Sequence, residues 1–330
     1  MSLAITPNTE INHSCVALSS RHQTSINSPA TDSSNSLQWQ AKLKINIAKT
    51  KRGSVVKRSE HIGPLYIQKA FYPQGPDLAH IYILHPPGGL VSGDHLDINI
   101  HVSSNAKALI TTPGAGRVYK ARSDKSLQQQ QVTLEAEDNA VIEWLPLETI
   151  LYPNANTRLN TLVKLSSSAF FIGWDISCLG LPANGQVFDK GCLEQCLQIE
   201  VAGKIKLRER LIVNDSNRDV LSHRAGFANR SVNALMVAGP FNQQNTGTGT
   251  SPDSDSEQLI EKLRQHSQTL TTKAQAEQAL CSISQCAEFL LIRYLGDDSE
   301  QARWFFSQCW QDIRPQLLGI AACAPRIWST

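Results

Sequence analysis

The strongest constraint on this chain is a period-two alternation of apolar and polar residues. Leu43, Ile45 and Ile47 alternate with Lys42, Lys44 and Asn46. Leu96, Ile98, Ile100 and Val102 alternate with Asp97, Asn99 and His101. Leu193, Leu197, Ile199 and Val201 share one parity, and Leu207, Leu211 and Val213 form a further set. Side chains on a strand point alternately to its two faces, so each run reads as a half-buried strand. Turn signals separate the runs: Pro86-Pro87-Gly88-Gly89, Pro113-Gly114, Pro153-Asn154, Ala183-Asn184-Gly185 and Ala202-Gly203. Many short strands so punctuated predict a mainly β fold, a large stacked antiparallel sheet architecture with a few helices.

One helix is expected near the C-terminus. Asp297-Asp298-Ser299 suits an N-cap, Ala302, Phe305, Phe306, Cys309, Trp310 and Ile313 fall on one stripe, and Pro315 is the expected stop. Leu259, Ile260 and Leu263 carry a weaker helical spacing over Glu257 to about Ala279, read as a marginal surface helix. Residues 1–36 are rich in Ser, Thr, Asn and Gln and carry few charges, the pattern of a disordered tail. Residues 37–330 read as a single β domain, with a flexible insertion at about 242–280 that opens on Asn242-Gln243-Gln244-Asn245 and is apolar-free to Ser256. The apolar C-terminal residues Leu317, Leu318, Ile320, Ile327 and Trp328 either pack on the chain's own core or dock on a partner.

Charge and cysteine usage narrow the function classes. A formal net charge of +2 lacks the basic excess expected of a nucleic-acid binder. No run of about 18 apolar residues occurs, so no membrane-spanning helix is expected. No charged start followed by an apolar stretch marks a secretory signal, which points to the cytoplasm. The eight cysteines are dispersed without a C-x-x-C pair. They read as reduced thiols rather than a disulfide framework or a structural zinc site.

The usual catalytic signatures are missing. The sequence has no G-x-x-x-x-G-K-[ST], no H-E-x-x-H and no G-x-S-x-G. Gly114-Ala115-Gly116 lacks the third glycine of a dinucleotide turn and reads as structural. His80, His85, His95 and His101 lie in one stretch beside Asp94 and Asp97, but their strand parities do not build a fixed metal site. Glu143, Glu148 and Asp175 fall in or beside apolar runs, and a buried carboxylate needs a partner, a proton, a metal or water. Glu209 stands between Arg208 and Arg210, where an ion pair is the simplest reading.

Several strings together are distinctive. They are Gly63-Pro64-Leu65-Tyr66-Ile67-Gln68-Lys69 with Phe71-Tyr72-Pro73, and His80-Ile81-Tyr82-Ile83-Leu84-His85 running through Pro86-Pro87-Gly88-Gly89-Leu90-Val91-Ser92-Gly93-Asp94. Ile110-Thr111-Thr112-Pro113, Glu143-Trp144-Leu145-Pro146-Leu147-Glu148-Thr149-Ile150, Arg293-Tyr294-Leu295-Gly296 and Pro325-Arg326-Ile327-Trp328 follow. In this order they resemble the urease accessory protein family UreD, also called UreH, from about residue 37 to the C-terminus and omitting the insertion. Arg117 keeps the family's positive charge and Tyr119 its aromatic, while Val118 stands where the family carries a ring.

The resemblance implies a stacked, mostly β scaffold rather than an enzyme. Such proteins bind UreF, recruit the GTPase UreG through it, and help place nickel in apo-urease. No permanently bound cofactor is implied; nickel is cargo in transit. On that reading His85, Asp94, Asp97, Glu143, Glu148, Asp175 and Glu209 are candidates to line a transient nickel route, because imidazole, carboxylate and water suit Ni²⁺. The alternative reading is a carbohydrate-active hydrolase built on paired carboxylates.

Overall fold

The computed structural model describes residues 39–85, 88–241, 252–273 and 279–329. The expected tail at 1–36 and the start of the expected insertion, 242–251, lie outside the described residues. Two sheets and two helices form three layers. The first sheet has seven strands and the second eleven. Helix α1, Pro252–Lys273, and helix α2, Ser299–Leu318, lie on the far side of the second sheet. No described helix is long and apolar enough to cross a membrane.

The alternation in the sequence translates directly into burial. Leu43, Ile45, Ile47, Leu96, Ile98, Ile100 and Val102 point inward and are buried, and their polar neighbours line the outer face of the seven-stranded sheet. The inner faces of both sheets share one apolar core. The outer face of the second sheet, with Ile172, Trp174, Ile176, Met236 and Ile292, makes a second core with Phe305, Phe306, Cys309, Trp310 and Ile313 of α2.

The antiparallel expectation needs correction. The strands Gln40–Thr50, His95–Val102, Gln128–Ala136, Asn156–Leu165 and Cys192–Val201 are mutually parallel neighbours in the first sheet. Ala79–Leu84, Lys107–Thr111, Val141–Trp144 and Phe170–Leu181 are parallel neighbours in the second. In the first sheet only the two end strands pair antiparallel, whereas in the second Phe170–Leu181, Val232–Gly239, Phe289–Gly296 and Leu280–Cys286 form an antiparallel half, so both sheets are mixed. The cause is the path of the chain. Ala79–Leu84 belongs to the second sheet, His95–Val102 to the first, Lys107–Thr111 to the second and Gln128–Ala136 to the first again. A chain that coils between two sheets returns to each in the same direction, as in β-helices. Of the turn signals, Pro86-Pro87-Gly88-Gly89 and Pro153-Asn154 mark crossings between the sheets, while Ala202-Gly203 turns the antiparallel hairpin of Cys192–Val201 with Lys204–Val213.

The C-terminal helix forms as its sequence predicts, with one difference. The Asp298 side chain accepts from the backbone N–H groups of Glu300 and Gln301. Pro315 does not stop the helix; it runs one turn further to Leu318. Proline removes a hydrogen bond and crowds the preceding turn, but buried Arg314 and Leu317 hold that turn against the sheet. Gly319 ends it at φ 65°, its N–H donating to the Pro315 carbonyl, a left-handed cap that favours glycine. The C-terminal segment packs on the chain's own core: Trp328 packs against Trp174 at 5.5 Å and meets Trp310 edge-on at 5.8 Å. Helix α1 likewise is not marginal, because Leu259, Leu263 and Leu270 are buried in the second core.

Candidate functional site

The site is an inter-sheet cavity created by polar residues at inward positions. Leu96, Gln130, Leu159 and Gln195 form one cross-strand row on the inner face of the first sheet. Two glutamines therefore stand where the alternation calls for apolar side chains. Thr161 holds the same kind of position between Leu159 and Val163. From the opposite sheet, Asp175 and Ser177 face them, and the Ser177 hydroxyl donates to Gln195 Oε1 at 3.0 Å across the gap. These groups line a cavity of about 80 Å³ together with Ile83, Ile98, Thr112, Gly116 and Trp144.

A wider cavity of about 390 Å³ adjoins it, and Ile83, Ile98, Thr112, Gly116 and Gln130 line both. Its other walls include His85, Arg117 and the backbones of Gly88, Gly89, Gly114 and Ala115. Leu90 exchanges backbone hydrogen bonds with the strand Gly116–Val118 and its neighbour Tyr119. A Cβ on Gly89 would come within 2.6 Å of the Arg117 carbonyl oxygen, so only glycine permits this approach. Among the described residues the Arg117 guanidinium has no ion-pair or hydrogen-bond partner, and this exposed group gives this end of the space a positive charge.

The structure does not bring the seven sequence-predicted residues together. Asp175 is the carboxylate on the cavity wall. It has no hydrogen-bond or ion-pair partner among the described residues, and burial pushes its carboxyl up to about 6. His85 lines the wider cavity; burial lowers its pKa, and the nearby Asp94 charge opposes that. Asp94 itself is 5% exposed, and its Oδ2 accepts from the Val91 N–H at 2.9 Å, tying the loop that carries the cavity wall.

The other four lie elsewhere, each for a legible reason. Asp97 sits on the outer face of the first sheet and accepts from Asn99. Glu209 is at an edge and pairs with Arg293 at 2.7 Å, not with its chain neighbours. Glu148 lies 4.0 Å from Arg303 of α2, and its buried Oε2 has no hydrogen bond among the described residues. Glu143 is fully buried on the helix side of the second sheet. Its oxygens accept from Arg314 Nε and Nη2 and from Trp310 Nε1. Glu143 is level with Ile172 in the pairing of their strands, three residues before Asp175, so the two carboxylates occupy opposite faces of one sheet. That geometry does not make the paired acids of a glycosidase. Among the described residues, no three His, Cys, Asp or Glu side chains cluster to hold a metal ion.

Sequence reasoning missed Gln130, Gln195, Thr161 and Ser177. The available signal was parity: a polar residue on the buried phase of an alternating strand, as in Gln128-Gln129-Gln130-Gln131 before Val132 and Leu134.

Comparison with known proteins decides the family. The family model described as UreD urease accessory protein matches residues 40–329. The chain belongs to the UreD family. The urease accessory protein UreD of Marinomonas sp. (strain MWYL1) is 48% identical over 293 residues, covering 89% of this chain and 90% of that protein. The UreD of Psychromonas ingrahamii is 39% identical over 312 residues, covering 93% of this chain and 99% of that protein. That of Nitrosococcus oceani is 37% identical over 295 residues, covering 89% and 91%. The matched span contains both sheets, both helices and the whole cavity, so this UreD-family chain is an accessory protein of urease maturation and not a hydrolase.

Proposed function

We propose that this chain is a maturation scaffold that helps insert nickel into apo-urease, working in a cytoplasmic complex with UreF and, through UreF, the GTPase UreG. Nickel is its cargo rather than a resident cofactor. The supporting observation is the polar cavity between two otherwise apolar sheet faces, with one unpartnered carboxylate on its wall.

A transfer path must bind its ion weakly enough to release it, as in conduction through a channel. Asp175 with Gln130, Gln195, Thr161 and Ser177 offers one charge and several neutral oxygens. That set suits a hydrated divalent ion better than a closed thiolate cage. The Arg117 charge in the adjoining cavity repels a bare dication, so binding is favoured at the Asp175 end. Of the seven residues that the sequence offers, the route holds Asp175 and His85, with Asp94 positioning the loop beside His85. Glu143, Glu148, Asp97 and Glu209 are assigned to ion pairs or the outer surface instead.

The test is urease from cells carrying the full urease gene set, with and without this gene. The proposal expects urease protein to accumulate without nickel when the gene is missing. Normally loaded urease in its absence removes the proposal.

A further inference from the structure

Sheet edges present unpaired backbone N–H and C=O groups, and proteins guard them with charges, irregular register or very short strands. Three of the four ends of the two sheet paths carry such guards. The end strand Lys204–Val213 bears Lys204, Lys206, Arg208 and Arg210, with a register irregularity against its neighbour. The end strand Gly53–Ile62 bears Lys57, Arg58, Glu60 and His61, again with an irregularity. The end strand Tyr66–Ile67 is two residues long. The fourth end, Leu280–Cys286, has none of these. Its sequence Leu-Cys-Ser-Ile-Ser-Gln-Cys holds no charge and no proline. Its register with Phe289–Gly296 is unbroken from Leu280 opposite Leu295 to Cys286 opposite Phe289. Leu280 is 56% exposed. Among the described residues, no backbone group of 280–286 is hydrogen-bonded outside this hairpin.

We propose that this edge is the interface between two copies of the chain, joined strand to strand and antiparallel about a two-fold axis at Ile283. The strand is nearly symmetric about that residue. The pairing sets Ile283 opposite itself, Ser282 opposite Ser284, and Leu280 opposite Cys286. Small hydroxyl and β-branched pairs are favourable across antiparallel strands, and no like charges meet. An axis perpendicular to the sheet keeps each α1 on the same side. Ile283, which packs with the helix-side core of its own copy, then extends that core to the second copy. The contact is isologous and closes on itself, so it makes a dimer and not a fibre. A neutral edge gives a foreign strand no charge to read, whereas its own sequence is complementary to it.

The experiment is sedimentation or light scattering of the full-length chain with reductant, over a series from low to high micromolar. The wild type is expected to dimerise. Ser282→Lys with Ser284→Lys places cations on both edges and should weaken the dimer at least ~10-fold, with far-ultraviolet circular dichroism unchanged. Leu280→Cys, at an exposed position, should crosslink to Cys286 of the second copy under mild oxidation. Adding Cys286→Ser should abolish that crosslink. A wild type that stays monomeric over the series overturns the proposal. So does a dimer that the lysine pair leaves intact, or a Leu280→Cys chain that folds and does not crosslink.

Discussion

Glu143 and Arg314 form an ion pair that is completely buried between the second sheet and α2. Arg314 Nε lies 2.9 Å and Nη2 2.9 Å from the two carboxylate oxygens. Trp310 Nε1 adds a third donor at 2.7 Å, and the guanidinium carbon of Arg314 lies over the Trp310 ring, 5.1 Å from its centroid. Burial pushes the Glu143 carboxyl upward, while Arg314 and Trp310 pull it back down. Arg314 Nη1 also reaches Gln74 Oε1 and the Ala321 carbonyl, so one arginine ties the helix, the sheet and the C-terminal segment together. Removing one partner leaves a bare buried charge. Arg314→Met should cost about 3–5 kcal/mol in urea unfolding. Glu143→Gln, Arg314→Met together should cost less than Arg314→Met alone. A single-variant loss under about 1 kcal/mol would contradict this assignment.

Asp175 predicts an unusual pH dependence. Burial raises its folded pKa to about 6, above the usual aspartate range. The folded state therefore binds the proton more tightly, and stability falls as pH rises from about 4 to about 6. Asp175→Asn should be more stable than the wild type at pH 7, by on the order of 1–2 kcal/mol once the water-accessible cavity is allowed for. The difference should vanish below about pH 4. Thermal melts of both proteins across this range check it; a wild type more stable than the Asn variant at pH 7 would contradict the raised pKa.

The C-terminal segment should be structural. Trp328 packs against Trp174 and meets Trp310 edge-on, and its Nε1 donates to Thr111 Oγ1 at 3.0 Å, next to the cavity-lining Thr112. Trp328→Ala should destabilise the fold by about 2–3 kcal/mol, less than a fully buried tryptophan would. Denaturant unfolding with an unchanged m-value measures it. No change in midpoint would return this segment to the role of a free docking arm.

Helix α1 should behave as part of the helical layer. Leu263 is completely buried, and His266 and Lys262 pair with Asp312 of α2 at 2.6 and 2.7 Å. Leu263→Ala should cost about 2–4 kcal/mol and speed amide exchange in residues 257–270. Unchanged exchange would show that the helix does not depend on this contact.

Much of this architecture was legible because alternation reports burial. Leu43, Ile45 and Ile47 had to face inward, and Asp298 had to cap a helix, whatever the fold around them. Alternation does not report which strand lies beside which. A strand such as His95–Val102 looks the same whether its neighbours are parallel or antiparallel, so the coiled path between the sheets was hidden. The site was half visible for a related reason. Asp175 stood out as a carboxylate in an apolar run, and it does lie on the cavity wall. Glu143 stood out equally, but its partner Arg314 is 171 residues away and no local pattern announces it. Gln130 and Gln195 carry no charge and drew no attention, although their inward parity was already in the sequence.

The central claim is most directly tested at Asp175. Nickel per urease active site should be measured in cells carrying Asp175→Ala, with the accessory complex recovered by pull-down to verify assembly. The account predicts an intact complex and urease with clearly reduced nickel, while the surface variant Asp97→Ala loads normally. Full loading with Asp175→Ala in an intact complex would contradict the claim that the inter-sheet cavity carries the metal.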